Sequence, residues 1–308
     1  MLSVSEVVEP ATVAEAAEAL EQAAREGRTV SIAREGGDVV LSTDRLDRVL
    51  EHEAGDLTVT VEAGLRLSEL NARLGQHGQR LSLDPPGDPT VGATIAGDLF
   101  GPLGHRFGRA RDLLLGVTAV FADGLVASSG GKVVKNVAGY DLGKLLCGSR
   151  GRLALVARAS FRLHALPAAA RTLVVDVAEP GEAQGLYRSL LHSELLPSGC
   201  DLLWPGRMAI LFEGSERAVA EQIDRAAILL GGREANPRVW AEARRRQAES
   251  PTRRAFGAGE LTVRLRETPE CVLRTGPTCF LFGDAAPLRW PATAERLRSR
   301  LDPGGVLA

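Results

Sequence analysis

The stretch Gly130 to Gly151, GGKVVKNVAGYDLGKLLCGSRG, sets the reading of the chain. Glycines at 130, 131, 139, 143, 148 and 151 surround Lys132, Lys135 and Lys144, the only three lysines among 308 residues. Glycine lets a backbone approach a ligand closely, and lysines beside exposed backbone N–H groups make an anion site. Phosphate is the natural anion. A solvated loop between a strand and a helix is the plain alternative.

Outward from there, Leu113–Val120 and Leu125–Ala127 read as a hairpin around Asp123-Gly124. Tyr140–Cys147 reads as a short helix, and Leu153–Leu163 as a strand. Upstream, Asp84–Gly108 (DPPGDPTVGATIAGDLFGPLGHRFG) holds six glycines and four prolines in 25 residues, too many breakers for long regular structure. A loop of that length in a compact domain is usually functional. Its small residues suit a chain lying flat against a planar ligand.

Further upstream, Val7–Glu9 reads as a short strand. A helix follows with Thr12 as cap, Glu15 completing a capping box, and Gly27 as the stop. The strand Thr29–Ala33 runs into Arg34-Glu35-Gly36-Gly37-Asp38, a phosphate-loop arrangement whose acidic residues argue the other way. Leu57–Glu62 is predicted as a strand and Leu65–Gly75 as an amphipathic helix.

After Pro167 the glycine-rich loops give way to regular alternation. Strands are predicted at Arg171–Val177, Cys200–Trp204, Met208–Glu213, Leu261–Arg266 and Pro277–Phe282. Helices are predicted at Gly181–Ser193, Ser215–Leu230, Val239–Ala248 and Ala292–Leu301. The pattern suggests an antiparallel sheet with helices on one face, a ferredoxin-like α+β arrangement.

Composition narrows the function classes. Apolar content of 44% and a net charge of −2 suit a globular protein and give no electrostatic reason for a nucleic-acid partner. No apolar run approaches a membrane span, and the N-terminus lacks a signal-peptide pattern, so a cytoplasmic protein is expected. The four cysteines lack CxxC spacing, so neither zinc nor a disulfide framework is indicated.

The runs DPPGDPTVGATIAGDLFGPLGHRFGRARDLLLG and GGKVVKNVAGYDLGKLLCGSRGRLALV together resemble the FAD domain of the vanillyl-alcohol-oxidase-type (PCMH-type) flavoproteins. Within them the chain is most similar to the FAD-binding accessory subunit of bacterial glycolate oxidase. The run KNVAGYDL, with Gly148-Ser149 and Gly151, carries most of the likeness, which covers about the first 165 residues well. It implies an α+β fold: an FAD-binding domain of two α+β subdomains at 1–167 and a smaller ferredoxin-like cap at 168–308, whose last helix and tail can return to the first domain.

The resemblance also implies site residues. Gly36, Gly37 and Asp38 would lie at the pyrophosphate. Pro86, Thr90, Val91, Gly92, Thr94, Gly97, Gly101 and Gly108 would line the pyrophosphate and the isoalloxazine edge. Asn136, Gly139, Tyr140 and Asp141 would close the site, with Gly151 and Val156 near the adenine. Arg264 would sit on a cap strand facing the flavin, where a guanidinium could hold a carboxylate; an ordinary surface arginine is the alternative. His105, inside the glycine loop, could approach the flavin or stand exposed in a turn. The first loop has no His or Cys for covalent attachment, so FAD is expected to be non-covalent.

The departures from the family pattern lie in the first loop and in GSRGRLALVAR, where Arg150, Ala154 and Arg158 replace the usual Glu, Gly and Glu. None of the five histidines lies beyond His192, where related catalytic subunits place a histidine-rich motif. A flavin-holding subunit of a glycolate-oxidase-like complex is therefore expected, acting on glycolate or D-lactate with a larger catalytic flavoprotein and an iron–sulfur subunit. The alternatives are a self-sufficient 2-hydroxy-acid dehydrogenase and a flavin-free structural subunit.

Overall fold

The computed structural model describes residues 6–33, 36–131, 141–250, 252–276, 278–283 and 292–308. Strand β1 (Glu6–Val8) leads into helix α1 (Val13–Glu26). The predicted N-cap forms, with Thr12 accepting from the Glu15 N–H; the Glu15 carboxylate reaches back to the N–H of Ala11, one residue before the cap, rather than to that of Thr12, and Gly27 ends the helix with φ 65°. Strands β2 (Val30–Ile32) and β3 (Val39–Leu41) complete a parallel sheet of order β1-β3-β2. Ala16, Leu20 and Ala23 of α1 bury against it. The tail closes the same layer, with Leu307 bridging to Val30 and Asp302 accepting from the N–H groups of Val306 and Leu307.

A second sheet is built from β4 (Val49–Glu53), β5 (Thr58–Glu62), β7 (Leu114–Val120), β8 (Val126–Gly130) and β9 (Leu155–Arg162). It is antiparallel, of order β4-β5-β9-β7-β8; the two-residue strand β6 (Gln79–Arg80) pairs elsewhere, with β10 (His164–Ala165). Helices α2 (Leu67–Gly75) and α3 (Val91–Gly97) pack leucine, valine and isoleucine on one face of this sheet. Leu155, Ala157 and Val120 pack its other face on the α1 layer. Short helices α4 (Gly104–Phe107), α5 (Ala110–Leu113) and α6 (Leu142–Leu146) complete this part.

From residue 169 the chain builds a third sheet. β11 (Ala169–Val177), α7 (Pro180–Leu191), β12 (Gly199–Trp204), β13 (Gly206–Gly214), α8 (Glu216–Leu230) and β14 (Arg233–Ala235) follow one another, with spatial order β14-β11-β13-β12. This is the ferredoxin-like βαββαβ arrangement. Three more strands, β15 (Thr252–Phe256), β16 (Cys271–Arg274) and β17 (Cys279–Gly283), extend it to seven.

Two expectations change here. Helices were expected on one face only. Helix α9 (Arg238–Glu249) instead covers the opposite face, burying Val239, Trp240 and Ala243, because its arginine-rich side still leaves an apolar stripe. Leu261–Arg266, predicted as a strand, lies in helix α10 (Leu261–Glu267). LTVRLRE satisfies both periods, but only Leu261 and Leu265, at i and i+4, are buried, while Val263 is 53% exposed. Arg264 pairs with Glu260 and Glu267 along the helix, which a strand would not permit. A last helix, α11 (Ala292–Leu301), packs Leu297 and Leu301 on the second sheet's core.

Candidate functional site

Helix α3 is pinned against the end of β5. The N–H of Val91 donates to the Leu65 carbonyl and that of Gly92 to Ala63 at 2.7 Å. Gly92 eases this approach, since a Cβ there would lie 3.0 Å from the Ala63 Cβ and 3.1 Å from its carbonyl oxygen, so Ala63 would have to give by a few tenths of an ångström. At the other end of α3, the N–H groups of Gly148 and Arg150 satisfy the Ile95 and Ala96 carbonyls, which lays the 148–151 segment along the helix end.

These contacts leave a groove of about 240 Å³ between α3, the end of β2 and the start of β9. Gly92, Gly97 and Gly151 bring backbone to its surface, and Ile32, Leu155 and Val156 supply apolar wall. Gly97 and Arg150 also line a second groove of about 470 Å³, bounded by Pro86 and Phe100 on one side and by Gln247, Arg253 and Phe282 on the other. The two grooves thus share two lining residues. Binding pockets run to about 300–1,000 Å³, so the first alone is small for a dinucleotide and a ligand of that size would need both. Apolar ends, glycine backbone and a cation at the junction fit a ligand with two flat end groups and an anionic middle.

Beside the second groove, the strained C-cap of α3, Asp98 (φ 47°), accepts from Arg109 at 2.5 Å and Arg253 at 3.2 Å. Arg253 also donates to the Asp98 carbonyl at 2.7 Å, and its burial pulls the guanidinium below its ordinary value against the pull of Asp98. Phe100, 2% exposed, lies under the guanidinium groups of Arg109, Arg253 and Arg274 at 5.8, 5.3 and 5.4 Å from its ring. Phe280 and Phe282 close round it at 4.9 and 5.8 Å. This cation–aromatic plug joins the glycine loop to the third sheet, beside a further cavity of about 360 Å³ lined by Phe100, Arg109, Arg274 and Phe280.

The predicted residues distribute unevenly. Gly92, Gly97, Gly151 and Val156 line the first groove, and Pro86 the second. Thr90 caps α3, while Val91 and Thr94 are buried behind it rather than in the groove. Gly36 and Gly37, with φ 124° and 76°, make the turn back to β3. Asp38 bonds the Thr29 N–H and hydroxyl at 2.8 Å, which holds its carboxyl below the usual range, so it shapes the loop from within. Gly101 packs on Asp84, whose carbonyl would lie 1.7 Å from an added Cβ. Gly108 lines a separate cavity with His105 and Arg109. Asp141 caps α6 through the Lys144 N–H; Asn136, Gly139 and Tyr140 lie outside the described residues.

Arg264 does not face the grooves. Leu261 and Leu265 seat its helix in the core on one face of the third sheet, whereas Phe100, Phe282 and α9 occupy the other. His105 is not an exposed turn residue: its Nδ1 lies 2.7 Å from the Thr275 carbonyl, and burial lowers its pKa. The residues that sequence reasoning missed are Arg150, Asp98, Arg253 and Phe100. Arg150 was visible only as a departure from the family pattern, and Asp98 and Arg253 gave no local signal.

Comparison with known proteins agrees with this geometry. Residues 4–130 match the family described as "FAD binding domain". The chain is 30% identical over 204 residues to glycolate oxidase subunit GlcE of Escherichia coli, covering 64% of this chain and 56% of that protein. It is 28% identical over 183 residues to D-lactate dehydrogenase [cytochrome] 1, mitochondrial, of Saccharomyces cerevisiae, covering 59% of this chain and 31% of that protein. It thus spans about a third to just over half of these relatives. The fold matches an alkyldihydroxyacetonephosphate synthase structure with a TM-score of 0.73 at 15% identity, over 97% of this chain and 75% of that one. The chain therefore carries a region that matches an FAD-binding domain, with FAD as its cofactor, and it is similar to a glycolate oxidase subunit and to a D-lactate dehydrogenase.

Proposed function

We propose that this chain holds FAD non-covalently as one subunit of a glycolate-oxidase-like complex, taking part in oxidation of a small 2-hydroxy acid, glycolate or D-lactate. In this reading residues 1–167 form the FAD domain and 168–308 a cap. A larger catalytic flavoprotein and an iron–sulfur subunit complete the complex, which works on the cytoplasmic side. Among the described residues no helix is long and apolar enough to cross a membrane; in this reading any membrane association is made by the complex.

The observation that carries the proposal is the pair of neighbouring grooves lined by Gly92, Gly97 and Gly151, in a chain with no histidine beyond His192. FAD, when bound, supplies two-electron oxidation and stepwise release of electrons. The chain's own residues bring backbone close at Gly92, Gly97 and Gly151 and exclude water with Ile32, Leu155 and Val156. Phe100 and its arginines stand at the glycine loop beside a further cavity of about 360 Å³, and none of the five histidines lies beyond His192 to serve as a substrate base. On this reading flavin is kept, and substrate oxidation falls to the partner.

Purified chain reconstituted with FAD should retain flavin absorbance after gel filtration; loss of all flavin would refute the reading. Anaerobic addition of glycolate or D-lactate to the isolated chain should leave the flavin oxidised. Bleaching would move substrate oxidation into this chain.

A further inference from the structure

We infer that Arg150 pairs with the diphosphate of the dinucleotide, an inference that rests on the reading of the two grooves as the FAD site. Gly97 and Arg150 are common to both grooves. Each groove has apolar wall, Ile32, Leu155 and Val156 in one and Pro86, Phe100 and Phe282 in the other, the second also carrying Gln247, Thr252 and Arg253. The two ring systems of FAD suit those two apolar walls, and its two negative charges would then fall near the residues that both grooves share. Placing them beside apolar surface is costly without a charged or hydrogen-bonding partner.

Arg150 has the freedom to be that partner. Arg253 and Arg109 are both engaged by Asp98. Among the described residues no carboxylate pairs with Arg150. Its backbone is fixed, because its N–H donates to Ala96 at 2.8 Å and its φ is 55°, a left-handed conformation that glycine would adopt without strain. Arginine held there, between Gly148 and Gly151, presents a planar fork that suits two phosphate oxygens. The position is also one where this chain departs from the glutamate usual in the family pattern, so the departure adds a phosphate partner.

The test measures the FAD dissociation constant of the full chain by fluorescence quenching at low and high salt, for wild type, Arg150→Gln and Arg150→Lys. The flavin midpoint potential is measured alongside. Arg150→Gln should weaken FAD by about ten- to hundredfold and flatten the salt dependence, with the midpoint potential unmoved. Arg150→Lys should recover part of the affinity and most of the salt dependence. An unchanged dissociation constant overturns the inference, as does a potential that falls together with affinity, which would put the guanidinium on the flavin ring. A wild-type chain that binds no FAD refutes the parent reading instead.

Discussion

Arg274 and Asp201 meet fork to fork with neither side chain exposed, Nε to Oδ1 at 2.9 Å and Nη2 to Oδ2 at 2.7 Å, between β16 and β12 of the third sheet. Arg274 also donates to the Phe100 carbonyl at 3.1 Å, so the pair ties the third sheet to the glycine loop. Removing one partner of such a pair strands a buried charge, at about 3–5 kcal/mol, whereas replacing both by apolar residues can be neutral. Asp201→Ala should therefore lose about that much unfolding free energy in urea. The double variant Asp201→Leu with Arg274→Met should recover much of it, but not all, because the bond to Phe100 is also gone. Equal losses in both would show that the bond to Phe100 dominates.

Phe100 itself should be among the costliest side chains to truncate. It is nearly fully buried between three guanidinium groups and two aromatic rings. Phe100→Ala is expected to cost about 3–5 kcal/mol, while Phe100→Leu, which keeps most of the volume, should cost distinctly less. A loss below about 1 kcal/mol for Phe100→Ala, read by chemical denaturation, would mean that the loop collapses into the space and that the junction is not a rigid plug.

Glycines on and off the groove should behave oppositely. Gly92→Ala places a methyl 3.0 Å from the Ala63 Cβ and should cost about 1–3 kcal/mol while weakening FAD. Gly75, at the end of α2, would meet nothing within 4 Å, so Gly75→Ala should be neutral or stabilise by up to about 1 kcal/mol and leave FAD binding alone. Parallel thermal melts and FAD titrations separate the two. If Gly92→Ala keeps full FAD affinity, the groove is not the dinucleotide site.

These residues also mark where sequence could be read and where it could not. The Thr12 cap, the Gly27 stop, the Asp123-Gly124 turn and the Ser215 cap were legible because each is completed within a few residues. The glycine lining of the groove was legible too, since Gly92 sits close on Ala63 and Gly151 takes a φ of 78° that favours glycine. The cationic side was not. Strand β15 carries Arg253, whose partner Asp98 lies 155 residues away, and β16 carries Arg274, whose partner lies 73 away. Buried arginines look like surface until their carboxylates are found, so neither strand was predicted. The segment LTVRLRE failed for a different reason, because its leucines fit both periods and only tertiary burial chooses between them.

Asp84 gives the fold a pH dependence with a definite sign. Its carboxylate accepts from the Leu103 N–H at 3.0 Å and faces Arg244 at 3.4 Å, with Arg274 and Asp201 nearby. Burial outweighs the arginines and pushes its pKa from 3.8 up to about 7. The native state therefore holds this proton more tightly than the unfolded chain. That contribution to stability is fully present below about pH 4 and is lost as pH rises through about 7, by at most roughly 4 kcal/mol. Asp84→Asn keeps an acceptor for Leu103 but cannot titrate. The difference in unfolding free energy, variant minus wild type, should rise steadily between pH 4 and pH 7 and level off above. A difference that stays flat across that range would mean that Arg244 and Arg274 keep Asp84 ionised throughout.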